Sequence, residues 1–309
     1  MFCMKLSLSN DALPKEATLI LGVSGGRDSM ALCHALVNQR PDLTIIPAHV
    51  DHGLRTNSNE DAEFVLGMMA RWELECEIYK PRAPKSGNIE AWGRNKRYEF
   101  FEKLRKKHKA DLVITAHHQG DDIETLLMCL LRGARVKGLS GMQIKREHLV
   151  RPLLFTSRAE INDYIDANEI PFREDPSNSD EQFTRNFLRN KVVPVLSHVY
   201  SDFPQRWQGQ KDYWIELQGM LETQAQAFLT EHLTDEGLAR APYRELPYPV
   251  RSTILELWFR QSTGQRVQES ANLKRWDEAI LNWNSRKKTE WHNGQFLVMK
   301  KGWAYIDKN

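Results

Sequence analysis

Residues 19–32 read LILGVSGGRDSMAL, a short β-rich apolar run followed at once by a turn of serines and glycines and then by a helical pattern. Glycine lets a backbone approach a phosphate closely. Amides at the start of the helix would point at that phosphate, with the positive end of the helix dipole behind them. Ser24 and Ser29 add hydroxyl donors. The stretch therefore predicts an anion-binding loop after a buried strand.

This loop differs from the phosphate loop of the common NTPases. It contains no lysine, and the chain has no Gly-x-x-x-x-Gly-Lys-Ser/Thr pattern. Instead, Ser-Gly-Gly-x-Asp-Ser at residues 24–29 resembles the pyrophosphate loop of the N-type ATP pyrophosphatases, which split ATP into AMP and pyrophosphate. The alternative is a glycine-rich turn between strand and helix that binds no ligand.

The composition is typical of a globular protein that functions in water. The chain has 309 residues, enough for two domains, with 27% charged and 41% hydrophobic residues. The apolar run at 17–23 is too short for a membrane span and lacks the layout of a signal peptide. The four cysteines form no Cys-x-x-Cys and are typical of reduced, mostly buried thiols. We therefore expect a cytoplasmic protein with no membrane partner.

The first half of the chain alternates strand and helix patterns. Strands are predicted at 18–23, 43–50, 76–80 and 111–116, and helices at 28–38, 57–72, 89–107 and 121–131. This alternation predicts an α/β fold, a Rossmann-like parallel sheet with helices on both faces. Ligands bind at the carboxyl ends of such strands. Ser24, Asp51 and His117 each follow a predicted strand, so we expect the site there.

The character of the sequence changes near residue 204. Seven of the nine tryptophans lie beyond residue 200, and helical stripes follow. The chain closes with apolar runs at 295–300 and 303–306 that read as short antiparallel strands, with Asn293-Gly294 and Lys301-Gly302 as turns. We expect a catalytic domain at 1–203 and a smaller, mainly helical domain at 204–309.

An acid follows the second predicted strand, in His49-Val50-Asp51-His52-Gly53-Leu54-Arg55. An acid at this position commonly meets the ribose of a nucleotide. His49 and Asp51 are therefore candidates for ATP binding. A turn stabilised by Asp51 and Gly53 is the alternative.

The helix predicted at 89–107 is strongly basic. Residues 80–109 hold eleven Lys and Arg against three Glu, so a polyanionic partner and a solvated helix surface are both open. One face of this helix carries Glu90, Arg94, Arg97, Phe101 and Leu104. Its apolar part should face the core. Its arginines would then lie against phosphate or RNA, or form a salt-bridged surface.

Two histidines and three acids crowd the start of the helix predicted at 121–131. Neighbouring histidines seldom point at one ion and no third ligand stands at helical spacing, which disfavours zinc. Asp121 and Glu124 share a helical face beside the predicted phosphate loop. There they could hold Mg²⁺ or an incoming cationic amine. The alternative is a pair of acids that only stabilise the helix N-terminus.

Taken in order, the motifs resemble those of one family, the tRNA(Ile)-lysidine synthases. The resemblance covers roughly residues 18–196. Its most distinctive part is Glu174-Asp175-Pro176-Ser177-Asn178, followed by Phe183-Thr184-Arg185-Asn186-Phe187-Leu188-Arg189. The remaining matches lie at 24–29, 49–55, 90–98, 116–125, 132–133, 138–142 and 151–154.

The resemblance implies an adenine nucleotide alpha hydrolase-like fold and a two-step ligation. ATP would adenylate the C2 oxygen of the wobble cytidine, position 34, in the CAU anticodon of tRNA(Ile), and pyrophosphate would leave. The ε-amine of free L-lysine would then attack C2 and expel AMP, which gives lysidine. Mg²⁺ is the implied metal.

The resemblance also assigns residues to roles. The implied catalytic residues are Asp28, Arg94, Asp121, Glu124 and, as a base, His118. The implied ATP-binding residues are Ser24, Gly25, Gly26, Arg27, Asp28, Ser29, His49 and Asp51. The implied tRNA-binding residues are Arg97, Arg185 and Arg189, and the implied Mg²⁺ ligands are Asp28 and Asp121.

Two departures from the family pattern stand out. The family commonly carries His-x-Asp-Asp-Gln where this chain has His118-Gln119-Gly120-Asp121-Asp122, so Gly120 replaces an aspartate and Asp122 a glutamine. Asp121 is retained, and we expect activity. Many members also extend through a further C-terminal domain. We expect tRNA recognition here to rest on the first domain and the tryptophan-rich helices.

Three other functions compete with this reading. A tRNA thiolase on the same loop generally needs paired cysteines, and none are paired in the sequence. Amidotransferase-linked synthetases lack the segment at 174–178. A non-catalytic tRNA-binding homologue is opposed by the intact loop at 24–29 and favoured by Gly120. The oligomeric state, a homodimer included, stays open.

Overall fold

The computed structural model describes residues 4–53, 58–84, 87, 89–174, 184–265, 267, 270–283, 287–300 and 302–307. It divides into two compact units. Unit 1 comprises Met1–Leu131 and Gly141–Trp207, and unit 2 comprises Arg132–Ser140 and Gln208–Asn309.

Unit 1 begins with four strand–helix pairs. In chain order these are β1 (Thr18–Gly22), α1 (Arg27–Gln39), β2 (Thr44–Val50), α2 (Ser58–Arg71), β3 (Glu77–Tyr79), α3 (Ile89–Lys107), β4 (Leu112–Ile114) and α4 (Gln119–Leu131). All eight correspond to elements predicted from the sequence, and the bounds of α3 agree at both ends.

The chain then passes through the short helix α5 (Val136–Leu139) of unit 2 and returns to unit 1. There it forms β5 (Lys145–Arg146), β6 (Leu149–Val150), α6 (Arg158–Ala167), α7 (Thr184–Phe187), a π-helical turn at Leu188–Val192 and α8 (Val193–Val199). A Ser157–Glu160 capping box starts α6.

The sheet of unit 1 has the strand order β3-β2-β1-β4-β6-β5, in which only β5 runs antiparallel to its neighbour. The mostly parallel sheet is therefore confirmed. Successive strands lead away from β1 on one side, and β4 lies on its other side. Such a reversal of strand order leaves a crevice at the carboxyl ends of β1 and β4, where open α/β sheets bind ligands.

Strand β1 is buried on both faces. Leu19 and Leu21 pack in one apolar cluster with α1, whereas Ile20 packs on the opposite face with Phe101 and Leu104 of α3. Alternate residues of a strand point to opposite faces, and a strand covered on both sides reads as a continuous apolar run. The apolar part of α3 faces the core, as expected.

Gly22, the last residue of β1, lies against the ring of Phe101. A Cβ at position 22 would come 2.6 Å from Phe101 Cζ, and Phe101 is only 2% exposed. The buried ring has little room to shift. The glycine therefore allows α3 to pack closely on the strand that leads into the predicted phosphate loop.

Unit 2 is built from helices and a small antiparallel sheet. Helix α9 (Phe203–His232) begins in unit 1 and is followed by β7 (Leu233–Thr234), β8 (Gly237–Ala239), α10 (Arg240–Arg244), α11 (Tyr248–Thr263), α12 (Ser270–Asn282), β9 (Lys288–His292), β10 (Gln295–Lys300) and β11 (Trp303–Asp307). The predicted strands at 295–300 and 303–306 are β10 and β11. Strands β7, β8 and β9 add to them in the order β7-β8-β11-β10-β9.

The core of unit 2 is aromatic. Trp276 stacks on Phe259 with ring centroids 5.3 Å apart, and it meets Trp291 at 4.3 Å. Buried Asp277 accepts hydrogen bonds from Tyr243 Oη and Arg251 Nε, which satisfies its charge inside this core. Across the described residues, every helix is too short or too polar to cross a lipid bilayer.

Replacement of Gly22 by alanine should destabilise unit 1. Because the new methyl group would overlap Phe101, we expect Gly22→Ala to lower the free energy of unfolding by about 1–3 kcal/mol in a urea titration. The matched control is Gly67→Ala in α2, where a Cβ meets nothing within 4 Å. That variant should gain about 0.5–1 kcal/mol, because alanine costs less backbone entropy in a helix. Equal stabilities for the two variants would contradict the packing argument.

Candidate active site

An open cavity of about 1020 Å³ lies within unit 1 at the carboxyl ends of its central strands. One wall is the loop from Gly22 to Ser29, and another is Thr115–His117 with Asp121. Arg97 and Tyr98 of α3 line it too, as do Arg158, Arg173 and the helical segment from Arg185 to Asn190. The structure thus brings together most of the residues predicted for the site.

Hydrogen bonds of its own serines hold the loop after β1 in its conformation. Ser24 Oγ lies 3.1 Å from Ser29 Oγ and accepts from the Gly26 N–H at 3.3 Å. Gly25 has a φ of +83°, which favours glycine. Gly26 caps α1 without a side-chain hydrogen bond to the helix N-terminus. The first amides of α1 therefore stay available to an anion, as the sequence predicts.

Arg27 fastens the loop to its surroundings. Its guanidinium donates to Asn162 Oδ1 at 2.7 Å and to Glu174 Oε1 at 2.9 Å. It also lies 4.5 Å from the centroid of the Phe172 ring. The neighbouring Arg173 N–H donates to Gly25 O at 3.0 Å. The segment ending at Glu174 thus supports the loop from outside.

Asp28, on the first turn of α1, pairs with Arg158 at the start of α6. Asp28 Oδ2 also lies 3.8 Å from His118 Nε2, and Asp121 Oδ2 lies 3.7 Å from the same nitrogen. Two carboxylates therefore converge on one buried imidazole beside the phosphate loop. Burial lowers the pKa of His118, so the ring is neutral near pH 7.

His118 forms the N-cap of α4. Its Nδ1 accepts from the Gly120 N–H at 3.0 Å, and Asp121 Oδ2 accepts from the His118 N–H at 3.0 Å. This reciprocal pattern is similar to a capping box, except that the side chain of His118 accepts from the second residue of the helix instead of the third. A Cβ at Gly120 would come 2.7 Å from His118 Cε1. The glycine that replaces the family's aspartate therefore makes room for the ring.

The tautomer of His118 decides what its second nitrogen can do. With Nδ1 accepting from Gly120, Nε2 carries the hydrogen. Arg158 Nη2 lies 2.9 Å from Nε2 and requires the other tautomer. One neutral imidazole accepts at one nitrogen only, so the two hydrogen bonds are alternatives. The role of His118 as a base stays a prediction.

Asp121 and Glu124 lie in a four-charge cluster with Arg185 and Arg189. Arg185 Nε and Arg189 Nε donate to Glu124 at 2.7 Å and 2.6 Å. The same arginines reach Asp121 Oδ1 at 3.1 Å and 3.3 Å. The Glu124 side chain is 3% exposed, so its charge depends on these partners. The arginines were predicted to contact tRNA; here they neutralise the acids, and their role toward tRNA stays a prediction.

The pKa of Asp121 reflects this cluster. Burial alone would raise the pKa of its carboxyl. The neighbouring His118, Arg185 and His117 outweigh burial and bring the pKa down to about 2. Burial also lowers the pKa of His117 to about 3, and its Nδ1 lies 2.8 Å from Thr115 Oγ1. At neutral pH this wall of the cavity therefore holds anionic Asp121 beside neutral histidines.

Arg94 and Arg97 lie on the outer half of α3. Arg97 lines the cavity, and the guanidinium of Arg94 lies 5.3 Å from the centroid of the Tyr98 ring. Within the described ranges, no carboxylate pairs with either guanidinium. The two arginines therefore leave this side of unit 1 positively charged, in keeping with an anionic ligand.

His49 and Asp51 are buried beside the cavity rather than in its wall. His49 Nδ1 donates to Val23 O at 2.8 Å, which joins the ends of β2 and β1. Asp51 accepts from the Gly53 N–H at 2.9 Å and pairs with Lys80 at 2.9 Å. The hydrogen bond between Asp51 and Gly53 is the contact that the alternative interpretation, a stabilised turn, requires. The ATP-binding role of the two residues stays a prediction.

Asp122, the second departure from the family pattern, has a structural role. It is 3% exposed, and its Oδ1 accepts from the Met142 N–H. A Cβ at Gly141, where φ is +62°, would come 2.6 Å from that oxygen. Asp122, which follows Asp121 in α4, thus connects this helix to residues 141–142, where the chain re-enters unit 1.

Some predicted features lie outside the described residues. These are 54–55 of the second-strand motif, 175–178 of the Glu-Asp-Pro-Ser-Asn segment, Phe183 of the motif that follows it, and Lys301 of the last predicted turn. The side chain of Glu90 is likewise not described. No cluster of three metal-ligating side chains occurs in the described part of the chain.

Arg158 and Arg173 line the cavity but were not predicted from the sequence. Arg158 pairs with Asp28, and Arg173 pairs with Asp61 at 2.9 Å. A signal for Arg158 was available, because Ser157-x-x-Glu160 is a capping-box pattern that places position 158 at the start of a helix. Arg173 lies in an irregular segment, where no periodicity points to a partner 112 residues away.

A mostly parallel sheet with a serine- and glycine-rich loop at the carboxyl end of its central strand defines an α/β protein with a candidate phosphate-binding site. A family model described as the PP-loop domain matches residues 4–196. The chain belongs to this PP-loop domain family.

Named relatives agree with the resemblance drawn from the motifs. A tRNA(Ile)-lysidine synthase of Geobacillus kaustophilus (strain HTA426) is 37% identical over 261 residues, which cover 79% of this chain and 56% of that protein. The tRNA(Ile)-lysidine synthase of a Bacillus licheniformis strain is 39% identical over 226 residues, 70% of this chain and 47% of that protein. The chain thus spans about half the length of the curated relatives it matches.

A solved structure shares the fold. The U34-tRNA thiolase NcsA from Methanococcus maripaludis superimposes with a TM-score of 0.58 at 15% identity, over 68% of this chain and 75% of that chain. At this identity the likeness concerns the fold alone.

The lowered pKa of Asp121 has a consequence for stability in acid. Its unfolded pKa is about 3.9. The stabilisation from its ionised form is therefore complete above about pH 4 and is lost as the pH falls through about 2. At pH 5 we expect wild type to have a higher free energy of unfolding than Asp121→Asn. At pH 2.5 this advantage of the wild type should be smaller by about 1–2 kcal/mol. Urea titrations at both pH values measure this. Asp163→Asn, on the exposed side of α6, is the control, and an unchanged difference for Asp121→Asn would contradict the assignment.

Proposed function

We propose that this chain ligates free L-lysine to C2 of the wobble cytidine in the CAU anticodon of tRNA(Ile), with ATP cleaved to AMP and pyrophosphate. The observation that carries the proposal is one cavity that is lined by the phosphate loop at Ser24–Ser29, by Asp121, and by the two arginines that pair with Glu124, Arg185 and Arg189. The names of the relatives support the same reaction. A phosphate cradle beside a carboxylate pair suits a nucleotide activation followed by attack of an amine.

The first step would use the loop and the start of α1. The C2 oxygen of the cytidine attacks the α-phosphorus of ATP, the bond from that phosphorus to the β-phosphate oxygen breaks, and pyrophosphate leaves. Backbone amides near Gly26 and the hydroxyls of Ser24 and Ser29 would donate to the pyrophosphate oxygens. The positive helix terminus stabilises the charge that grows on the leaving group.

The second step would use the acid pair. Asp121 and Glu124 attract the ε-ammonium of lysine, which must lose a proton before it can attack. The neutral amine attacks C2, the bond from C2 to the AMP oxygen breaks, and AMP leaves. The new nitrogen then carries two hydrogens, and one of them leaves as a proton to a nearby carboxylate or to His118.

Mg²⁺ is proposed at Asp28 and Asp121. The two carboxylates fit this ion, because both approach His118 Nε2 within 4 Å at the edge of an open cavity beside the phosphate loop. Mg²⁺ prefers one or two carboxylates together with waters and substrate phosphates. When bound, it would screen the charge on the phosphates. Each carboxylate also pairs with an arginine, so these arginines would adjust when the ion binds.

The RNA would be held mainly by positive charge. Arg94 and Arg97 on α3 and the basic residues between 80 and 109 would contact the anticodon loop, where a base can be splayed out and read on its edges. We propose that the C-terminal domain, predicted at 204–309, adds contacts to the tRNA body. The cytoplasm is the compartment where such a substrate is met.

The thiolase alternative receives less support. Cys33 lies in the core, where burial raises the pKa of its thiol, and burial raises the pKa of Cys76 to about 12. Thiols of this kind are poor nucleophiles and poor metal ligands. No disulfide bond joins Cys33, Cys76 and Cys129, the cysteines that the structure describes.

Labelled lysine should be incorporated into tRNA(Ile) bearing CAU, and not into a methionine tRNA, when ATP and Mg²⁺ are present. ATP cleavage without lysine transfer would favour the thiolase, and the absence of any tRNA-dependent cleavage would favour an inactive tRNA-binding protein. Either result would overturn the proposal.

Glu124→Gln should separate the two steps. Because Glu124 is assigned to lysine, we expect lysine incorporation to fall about 100-fold or more, and tRNA-dependent pyrophosphate release to fall far less. The matched control is Glu256→Gln in unit 2, where a glutamate only 15% exposed likewise pairs with two cations, Arg135 and Lys137. Equal loss of both steps in Glu124→Gln alone would contradict the assignment.

A further inference from the structure

Unit 2 contains a pocket of its own, with a volume of about 270 Å³. Helix α12 supplies Asn272, Arg275 and Trp276 to its lining, and strand β9 supplies Trp291 and His292. The three residues of α12 are spaced i, i+3 and i+4, so they share one face of the helix. The reaction proposed above makes no use of this pocket.

The floor of the pocket is apolar and firmly held. Trp276, Trp291 and Phe259 are each at most 5% exposed, because their rings pack on one another. Trp276 Nε1 donates to Glu290 O at 2.7 Å, and Trp291 Nε1 donates to Ser262 Oγ at 3.1 Å. Because both indole N–H groups are satisfied inside the protein, the rings offer a ligand only their carbon atoms.

The rim of the pocket carries polar groups with spare hydrogen-bonding capacity. Within the described residues, Arg275 makes a single hydrogen bond, to a main-chain carbonyl oxygen of β9 at 3.2 Å, and no ion pair. The side chains of Asn272, His292 and Asn293 form no hydrogen bond in the part of the chain that the structure describes. Donors and acceptors thus converge over an apolar floor, which is the usual composition of a ligand site.

The chemistry of the pocket fits one unpaired nucleotide. Amide side chains offer both a donor and an acceptor, as the edges of nucleobases do, and the Arg275 guanidinium suits a phosphate. The surroundings are basic as well, because residues 270–300 hold six Lys and Arg against three acids. One of these acids, Asp277, is already neutralised by Arg251.

The alternatives fit the pocket less well. An apolar side chain or a lipid tail would leave the polar rim without partners, which is unfavourable. The volume lies below the roughly 300–1,000 Å³ of sites for drug-sized ligands, so it suits a single ring system.

We propose that the pocket between α12 and β9 binds a single unpaired nucleotide, with its base against the apolar floor and its phosphate at Arg275. Unpaired bases of RNA are commonly bound by stacking on aromatic rings and by hydrogen bonds to their edges. The nucleotide comes either from an unpaired stretch of the RNA substrate or from the AMP that the proposed reaction releases. The inference rests on the proposed function only for the presence of these two ligands.

Photolabelling of the full chain with 8-azido-AMP, followed by mass spectrometry of its peptides, tests the pocket for free mononucleotide. We expect a labelled peptide within residues 259–293 of the wild type and loss of most of that label in Arg275→Gln. The labelled peptide of the wild type needs no substitution, so it tests the pocket even if a variant does not fold.

A filter-binding titration with tRNA(Ile) bearing CAU, without ATP or lysine, tests the pocket for RNA. The Kd should rise about fivefold or more in Arg275→Gln and in Asn272→Ala. The matched control for both experiments is Lys274→Gln. It removes the same charge from the neighbouring residue of α12, which does not line the pocket, and should change either readout far less.

The outcomes separate the pocket from the reaction. Dependence on Arg275 with 8-azido-AMP alone supports the proposal with free mononucleotide as the ligand, and dependence with tRNA supports it with RNA. Equal effects of Arg275→Gln and Lys274→Gln would indicate diffuse charge attraction and overturn the proposal, as would unchanged binding in both experiments. Lysine transfer would in that case leave the proposed function in place. Absence of lysine transfer by the wild type, together with Arg275-dependent binding, would overturn the proposed function and leave the pocket in place.

Discussion

The burial of β1 on both faces is the constraint on which the rest of unit 1 depends. Leu19 and Leu21 pack against α1 on one face of the strand, and Ile20 packs against α3 on the other face. Neither helix can therefore shift without exposing apolar surface. The chain leaves this fixed strand at Gly22 and turns directly into the loop at Ser24–Ser29. A flexible glycine-rich segment is therefore anchored at both ends, and its amides point in a defined direction. The geometry of the predicted phosphate loop therefore follows from core packing.

Charge, by contrast, organises the opposite wall of the cavity. Glu124 is nearly inaccessible to solvent, and a lone buried carboxylate would be costly. Two arginines, one from α7 and one from the π-helical turn that follows it, satisfy this charge, and the same arginines lower the cost of burying Asp121. These ion pairs are strong, but they can be exchanged. An incoming cation can pair with the carboxylates in place of the arginines, and an incoming anion can pair with the guanidiniums in place of the acids. Packing sets the position of one side of the site, and ion pairing sets the other.

Much of unit 1 could be predicted from the sequence, because its elements carry local signals. The apolar period of β1, the length of α3 and the acids at the start of α4 depend on residues close in sequence, and these elements lie where expected. The partners of the charged residues could not be predicted. Arg185 and Glu124 are separated by 61 residues, and Asp28 and Arg158 by 130, so nothing local indicates their pairing. The short strands β7–β9 were missed for a related reason. Strands of two and three residues such as β7 and β8 form because a neighbouring strand is present, as β8 does against β11, and they carry little pattern of their own; the five-residue β9 likewise pairs with β10.

The chain passes between the two units three times, after Leu131, after Ser140 and after Trp207. The first two crossings enclose a nine-residue insert that follows directly on α4, and its Arg135 and Lys137 bind Glu256 within unit 2. Unit 2 is consequently encoded in two separated pieces of the gene. Recombination at a single point cannot exchange it for another module without leaving half of this ion-pair network behind. Because Arg135 and Lys137 of the insert pair with Glu256 of α11, we expect substitutions in these two segments to compensate one another.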